Sequence, residues 1–230
     1  MTETVAWPFA LDGVVESVTT TPEPSDGWNV AALGVSGLDG EDTGPEAGRA
    51  DTDPTAESAR ARTWGRTRTR ANFERAGRGV VQAVDDPVVF VRAALDRWVH
   101  EGPHLDEAAA WVAVEAIELE RGRERGTEWV DWKLVPTDTA IRRRVVPRAS
   151  RGFPAVVEMT VAASRLGVPA FDQETLRSRL EYFARVAERC GGERERAAVT
   201  EVAALSPWTP ADGHPNAAAH RGHGEGDDGR

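Results

Sequence analysis

The chain is poor in lysine, cysteine and tyrosine: Lys133, Cys190 and Tyr182 each stand alone in 230 residues. A single cysteine excludes an intramolecular disulfide and a cysteine metal cluster, and a reducing cytoplasm fits that usage. No run of eighteen apolar residues is present, so no membrane-spanning helix is expected. The segment Met1 to Leu11 lacks a basic region and carries Glu3, so it does not read as a secretory signal. No G-x-G-x-x-G follows a strand, which argues against a Rossmann dinucleotide site. The G-x-x-x-x-G-K-[ST] loop and the G-x-S-x-G elbow are missing too, which excludes P-loop and nucleophile-elbow chemistry.

What is abundant is acid. Asp plus Glu outnumber Lys plus Arg by 38 to 28. Self-repulsion at such a charge opposes compaction at low salt, and concentrated salt screens it, with a Debye length of about 3 Å at 1 M. A salt-loving cell would select an acidic, lysine-poor chain; a GC-rich genome, which favours arginine codons, is the blander explanation and is placed second. General nucleic-acid binding needs an excess of positive charge on one face and is disfavoured.

Short strands dominate the first part of the chain. Gly13 to Thr20 alternates apolar and polar and is rich in β-branched residues, so it predicts a strand. A loop with two prolines and Asp26-Gly27 leads to a second strand, Trp28 to Val35, antiparallel to the first. Leu38 to Ser58 is acidic and rich in Gly, Pro and Thr, and reads as an exposed insertion. A short helix is expected over Thr69 to Ala76, ended by Gly77, then a strand from Val80 to Val84. Asp86 as N-cap and Pro87 in the first turn begin a helix reaching about Trp98. Ala110 to Leu119, Trp129 to Val135 and Ala140 to Val146 read as further strands. Trp129, Asp131 and Lys133 are expected on a wet face, and Val130, Trp132 and Leu134 on a buried one.

Beyond Phe153 the pattern turns helical. Pro154 to Leu166 stops at Gly167, with Pro169 beyond it. Asp172 caps a longer helix that Gly191-Gly192 ends, and a last helix covers Glu193 to Leu205. Pro207 to Arg230 is polar, glycine-rich and expected to be disordered. The expected organisation is a β-barrel or sandwich domain over 1–150, a helical appendage over 151–206 and a tail over 207–230.

Arginine gathers in two islands, Arg60 to Arg70 (RARTWGRTRTR) and Arg142 to Arg151 (RRRVVPRASR). In the first, Thr67, Arg68, Thr69 and Asn72 fall where a loop enters a helix. A helix start offers unbonded N–H groups and partial positive charge, and hydroxyls with a guanidinium suit phosphate oxygens. A small phosphate-bearing ligand is one reading; an N-cap threonine among solvated arginines is the other, and the cluster alone leaves them level. In the second island, Arg142 and Arg144 would share one strand face and Arg143 the other; surface ion pairs explain most of it, and a place across a dimer interface near a ligand is the alternative. His100 and His104 have helical ligand spacing, but Gly102-Pro103 between them breaks a helix, so solvated loop histidines are favoured over a metal site. His214, His220 and His223 lie in the tail, where no preformed metal site is expected.

Several of these residues together resemble a known family. They are Glu16, Ser17, Thr20 and Thr21, then Asp26, Gly27, Asn29, Ala31 and Gly34. Trp64, Thr67, Thr69 and Asn72 follow, then Val80 to Leu95 (VVQAVDDPVVFVRAAL), Val157-Glu158 and Ser164-Arg165-Leu166. In order and spacing this is similar to the archaeal domain-of-unknown-function family four-four-seven, related to flavin-reductase-like split barrels that bind flavin mononucleotide (FMN). The resemblance covers Val5 to Leu205 apart from the acidic insertion. It implies a mainly β fold, a six-stranded antiparallel split β-barrel with a C-terminal helical appendage, and a homodimer with FMN at the subunit interface. By the same analogy Asn29, Ala31, Ala32, Leu33 and Gly34 would line the isoalloxazine ring through backbone groups. Arg66, Thr67, Arg68, Thr69 and Asn72 would hold the ribityl phosphate. The chain departs from the family pattern at Ala32 and Leu33, where proline and methionine are expected; both replacements keep an apolar wall.

The residues themselves fit a flavin: small side chains on the second strand let the backbone approach a ring, and the arginine island supplies an anion site. None of these segments places a Cys, His or carboxylate as an obvious proton donor. Three functions compete: an FMN-dependent oxidoreductase reduced by a nicotinamide or deazaflavin, a flavin-binding carrier or accessory factor without turnover, and a structural dimer whose arginines only pair with acids.

Overall fold

The computed structural model describes residues 5–38, 58–146 and 149–210. It divides into two compact units, 1–148 and 149–230.

The first unit is a barrel made of β1 (Val15–Pro22), β2 (Trp28–Gly37), β3 (Ala59–Trp64), β4 (Arg78–Val84), β6 (Ala108–Glu124) and β7 (Thr127–Ile141). The ladder runs β1-β4-β6-β7-β3-β2, and a β1–β2 pairing from Val15↔Val35 to Pro22↔Trp28 closes it. All six neighbours are antiparallel. A seventh short strand, β5 (Trp98–His100), adds to β2 outside the ring. This is the six-stranded antiparallel barrel that the resemblance implied.

Alternation drives the closure. Leu33 and Val35 of β2, Ala59 and Ala61 of β3, Val112 and Val114 of β6 and Val130, Trp132 and Leu134 of β7 meet in one core cluster. Each large aliphatic side chain buried there contributes about 1.5–3 kcal/mol. The preceding segment adds Trp7 and Leu11 to the same cluster.

Helix α1 (Arg68–Ala76) follows β3 directly. Thr67 caps it, its Oγ1 accepting from the Arg70 N–H at 3.2 Å. Gly77 ends it with φ 61°, donating its N–H to the Phe73 carbonyl. Phe73 enters the core and packs on Trp132, with ring centroids 5.2 Å apart. Gly79 lets this happen: a Cβ there would lie 2.9 Å from the Thr20 carbonyl and 3.0 Å from the Phe73 ring. Helix α2 (Pro87–Leu95) starts as expected, the Asp86 carboxylate accepting from the N–H groups of Val88 and Val89.

Four sequence expectations change here. The helix expected to reach Trp98 ends at Leu95, and Trp98 begins β5. Arg60 to Trp64, read as an arginine-rich island, forms strand β3; Ala59, Ala61 and Thr63 are buried while Arg60, Arg62 and Trp64 face outward. Ala140 to Val146 is no separate strand, because β7 runs on to Ile141 and stops. Pro136 does not interrupt β7, since the β6–β7 register shifts next to its partner Val114, and a bulge tolerates the missing donor. Asp131, placed on a wet face, is fully buried because Arg60 and Arg62 lie over it.

The second unit holds α3 (Gly152–Ala163), α4 (Gln173–Cys190) and α5 (Glu193–Leu205). Asp172 caps α4 through the Thr175 N–H at 3.0 Å. Met159, Leu180 and Val199 are buried. The ordered chain continues past Pro207, where a disordered tail was expected to begin: Trp208 is buried and donates to Glu181 at 3.0 Å. Most of the acidic insertion and the histidines of the tail lie outside the described residues. No helix among those described is long and apolar enough to cross a membrane.

Candidate functional site

Strand β2 pairs with β1 along residues 28 to 35 on one side. On its other side it pairs with β5 at Trp28 to Val30 and with β3 at Val35 to Gly37. Ala31, Ala32, Leu33 and Gly34 therefore have no ladder partner on that edge among the described residues. These are four of the five residues expected to line a ring. The Leu33 side chain points into the core, whereas Ala31, Ala32 and Gly34 stay half-buried and small. Val14 overhangs Gly34, its Cγ1 3.0 Å from where a Cβ would sit.

The start of α1 is tied to this strand. Asn29 donates to the Thr69 hydroxyl at 3.2 Å and to the Thr21 hydroxyl at 3.5 Å, and Asn72 donates to Thr21 at 3.0 Å. All four side chains are buried. Buried in this way, asparagine and threonine satisfy one another, and that fixes where α1 begins. Arg68 crosses from α1 to β5, donating to the Trp98 carbonyl at 3.4 Å, and lies 3.4 Å from the Glu23 carboxylate. The structure thus brings Asn29, Arg68, Thr69 and Asn72 together beside the open edge of β2. Glu23 is an addition that sequence reasoning missed; it sits in the Pro-rich loop after β1, where an acid carries no signal of its own.

Arg66 and Thr67 turn the other way. They open onto a cleft of about 730 Å³ between α1 and the β6–β7 hairpin, lined also by Arg70, Glu74, Arg121, Arg123, Glu128 and Trp129. Arg70 is nearly buried, bonded to Glu74 at 3.1 Å and to the Gly65 carbonyl at 3.2 Å. A hydrogen bond from Arg123 holds the Glu128 carboxyl below its usual range, helped by Arg66 and Arg70. The hairpin arginines left no trace in the sequence reading, because they sit in a mixed run with four glutamates.

The second island behaves as a surface. Arg143 forms two 2.9 Å bonds to Asp85, and Arg142 donates to the Leu105 carbonyl at 2.8 Å. Both lie beyond the end of β7 rather than on a strand. His104 stacks on Trp111 at 4.3 Å; burial, then Arg142, push its pKa down. His100 is bonded through Nδ1 to the Gly102 carbonyl at 2.8 Å. Among the described residues no group of three His, Cys, Asp or Glu side chains is arranged to hold a metal ion.

Two family models match the chain. Residues 15–143 match the N-terminal domain of the protein of unknown function DUF447, and residues 150–202 match a second DUF447 model. Among solved structures, an FMN-bound protein from Methanosarcina mazei of the same family is 23% identical. That alignment covers 86% of this chain and 97% of the other, with a TM-score of 0.67, so the two share a fold. Weaker likenesses include flavoredoxin from Methanosarcina acetivorans, at 10% identity over 64% of this chain and 76% of that one, TM-score 0.40. An FMN-binding protein from Thermus thermophilus with bound 1-cyclohex-2-enone is 12% identical over 61% and 79%, TM-score 0.38. A search of curated proteins finds no match. With both models placed in order on one barrel and one helical unit, the chain belongs to the DUF447 family.

Proposed function

We propose that this chain is an FMN-binding flavoprotein and acts as a flavin-dependent oxidoreductase. The observation that carries the reading is the edge of β2 at Ala31 to Gly34, which has no ladder partner among the described residues. A flavin ring presents a carbonyl and N–H edge that can take up such backbone groups, and small side chains let it come close. Arg68 and the start of α1 stand beside that edge and suit the ribityl phosphate. Asn29, Thr69 and Asn72 serve the site by holding strand and helix in register, whereas Arg66 and Thr67, expected at the phosphate, face the cleft on the other side of α1. FMN binding in the Methanosarcina mazei relative supports the same reading.

When bound, FMN supplies the electron-transfer chemistry, while the protein sets orientation and access. A homodimer with the flavin near the subunit interface belongs to this reading. The exposed Trp64, Ile117 and Leu119 on β3 and β6 offer apolar area that a second copy would cover. A binding protein without turnover is the second reading; it is favoured by one observation, that residues 29–34 and 66–72 hold no Cys, His or carboxylate to move a proton.

An absorption spectrum of the purified protein tests flavin binding: bands in the blue and near ultraviolet are expected, and a colourless protein that fails to take up added FMN would overturn it. Anaerobic bleaching by reduced nicotinamide or reduced deazaflavin separates an oxidoreductase from a carrier.

A further inference from the structure

The cleft on the far side of α1 has no part in the ring site, and it encloses about 730 Å³ of its own. Four arginines, Arg66, Arg70, Arg121 and Arg123, line it against two glutamates, in a chain whose net charge is −10. Arg70 is held in place by Glu74 and Glu128. Arg66, Arg121 and Arg123 keep 89%, 56% and 66% of their side chains in solvent while touching carboxylates, so their guanidinium groups still have donors to offer.

The aromatic wall narrows the ligand class. Trp129 lies against the Gly122 backbone so closely that a Cβ at Gly122 would fall 2.5 Å from the ring. The Arg62 guanidinium lies 4.1 Å from the ring centroid. With Gly122 and Arg62 both against the indole, little of it is left for a second ring to stack on. Recognition in the cleft is then by charge and hydrogen bonds. A single phosphate meets few of these donors, whereas a diphosphate flanked by two sugars has the length to meet several of them, and about 730 Å³ lies within the usual range for a small-molecule site.

We propose that this cleft binds the diphosphate bridge of a dinucleotide, with Arg66, Arg121 and Arg123 as its ligands. Which molecule carries the diphosphate rests on the flavin reading above: a flavin dinucleotide reaching past α1, or a separate nicotinamide dinucleotide that delivers hydride.

Calorimetric titration of the full-length protein tests this, using inorganic phosphate, inorganic pyrophosphate, FMN, FAD and NADH as probes. The Arg121→Ala/Arg123→Ala variant is compared with wild type, and Arg185→Ala, an exposed arginine of α4, is the control. Circular dichroism melts establish that each variant is folded. Pyrophosphate is expected to bind more tightly than phosphate and to weaken at least tenfold in the double variant, with FMN unchanged. A parallel loss for FAD identifies the flavin dinucleotide as the source; a parallel loss for NADH with FAD unchanged identifies the nicotinamide. Pyrophosphate binding no better than phosphate, or equally well in the double variant, overturns the proposal and leaves the FMN site standing. Pyrophosphate binding that follows the expected pattern without any FMN uptake upholds the cleft and removes the flavin reading instead.

Discussion

Arg62 and Asp131 are direct partners across the β3–β7 ladder, and the arginine grips the carboxylate with two bonds, Nε to Oδ1 at 2.6 Å and Nη2 to Oδ2 at 2.8 Å. Arg60 joins from one pleat away, its Nε 3.0 Å from Oδ2. Burial alone would push the Asp131 carboxyl up, but the bonds from Arg62 and Arg60 outweigh it and hold the group below its usual range.

Asp131→Asn is therefore expected to destabilise the barrel by about 3 kcal/mol at neutral pH, the low end for breaking a buried pair because both arginines keep some solvent. The pH dependence follows from the sign of the shift. A carboxyl whose pKa is lowered by folding contributes fully above its unfolded value, about 3.9, and loses that contribution as the pH falls through the folded one. Melts at pH 7 should separate wild type and variant, and the gap should begin to shrink below about pH 4 and close only once the pH has fallen through the lower folded value. A gap that persists in acid would show that the pair acts through packing alone.

Arg68→Ala is expected to weaken FMN about ten- to a hundredfold and riboflavin much less, since a charge-assisted bond to phosphate is worth roughly 1.5–3 kcal/mol. Thr69→Ala should also favour riboflavin over FMN, and it should lower the melting temperature as well, because Asn29 loses a buried acceptor. Fluorescence quenching with both flavins measures the split. Equal losses would move the phosphate away from the start of α1. Arg143→Ala, whose partner is the surface Asp85, is the control.

Glu23 stands 3.4 Å from the Arg68 guanidinium and accepts from Asn72 at 3.4 Å. A phosphate placed at Arg68 must compete with that carboxylate. Glu23→Gln should thus tighten FMN several-fold and leave riboflavin unchanged. Weaker FMN binding in this variant would mean that Glu23 positions Arg68 rather than competing for it.

The acidic segment between β2 and β3 should be dispensable. Gly37 and Ala59 are cross-strand partners, and the Leu38 N–H bonds the Ser58 carbonyl at 3.0 Å, so the chain leaves and returns at adjacent points. A short Gly-Ser turn in place of residues 39–57 is expected to leave the unfolding free energy within about 1 kcal/mol of wild type, because loop closure varies slowly with length. Failure of that variant to fold would give the segment a share in the core.

Stability should rise with salt, as the acid excess of 38 to 28 implies. Thermal melts from low to multimolar potassium chloride measure it, and a flat or falling melting temperature would remove the halophilic expectation.

How much of this was legible depends on the kind of signal each element carries. Gly77, Asp86-Pro87 and Asp172 are local devices, and each starts or ends its helix where expected, while Thr67 begins α1 one residue earlier than expected. Strand β3 was hidden because its inward residues are alanines and a threonine, while its outward arginines dominate the pattern. Those arginines read as solvated until a buried carboxylate on a neighbouring strand is brought to them, and no local rule announces a partner 69 residues away. The open edge of β2 was invisible for the same reason, since it depends on where two other strands stop.

That open edge also bears on how the barrel avoids its own kind. A bare strand edge normally recruits another strand and seeds aggregation. Here the exposed stretch is four residues long and blocked at one end by β3 and at the other by β5. An intruding strand of ordinary length, about five or six residues, would collide with β3 or β5 before pairing along its whole length. The gap is therefore too short for a foreign strand of that length, and on the proposed reading it is left to a flat small molecule.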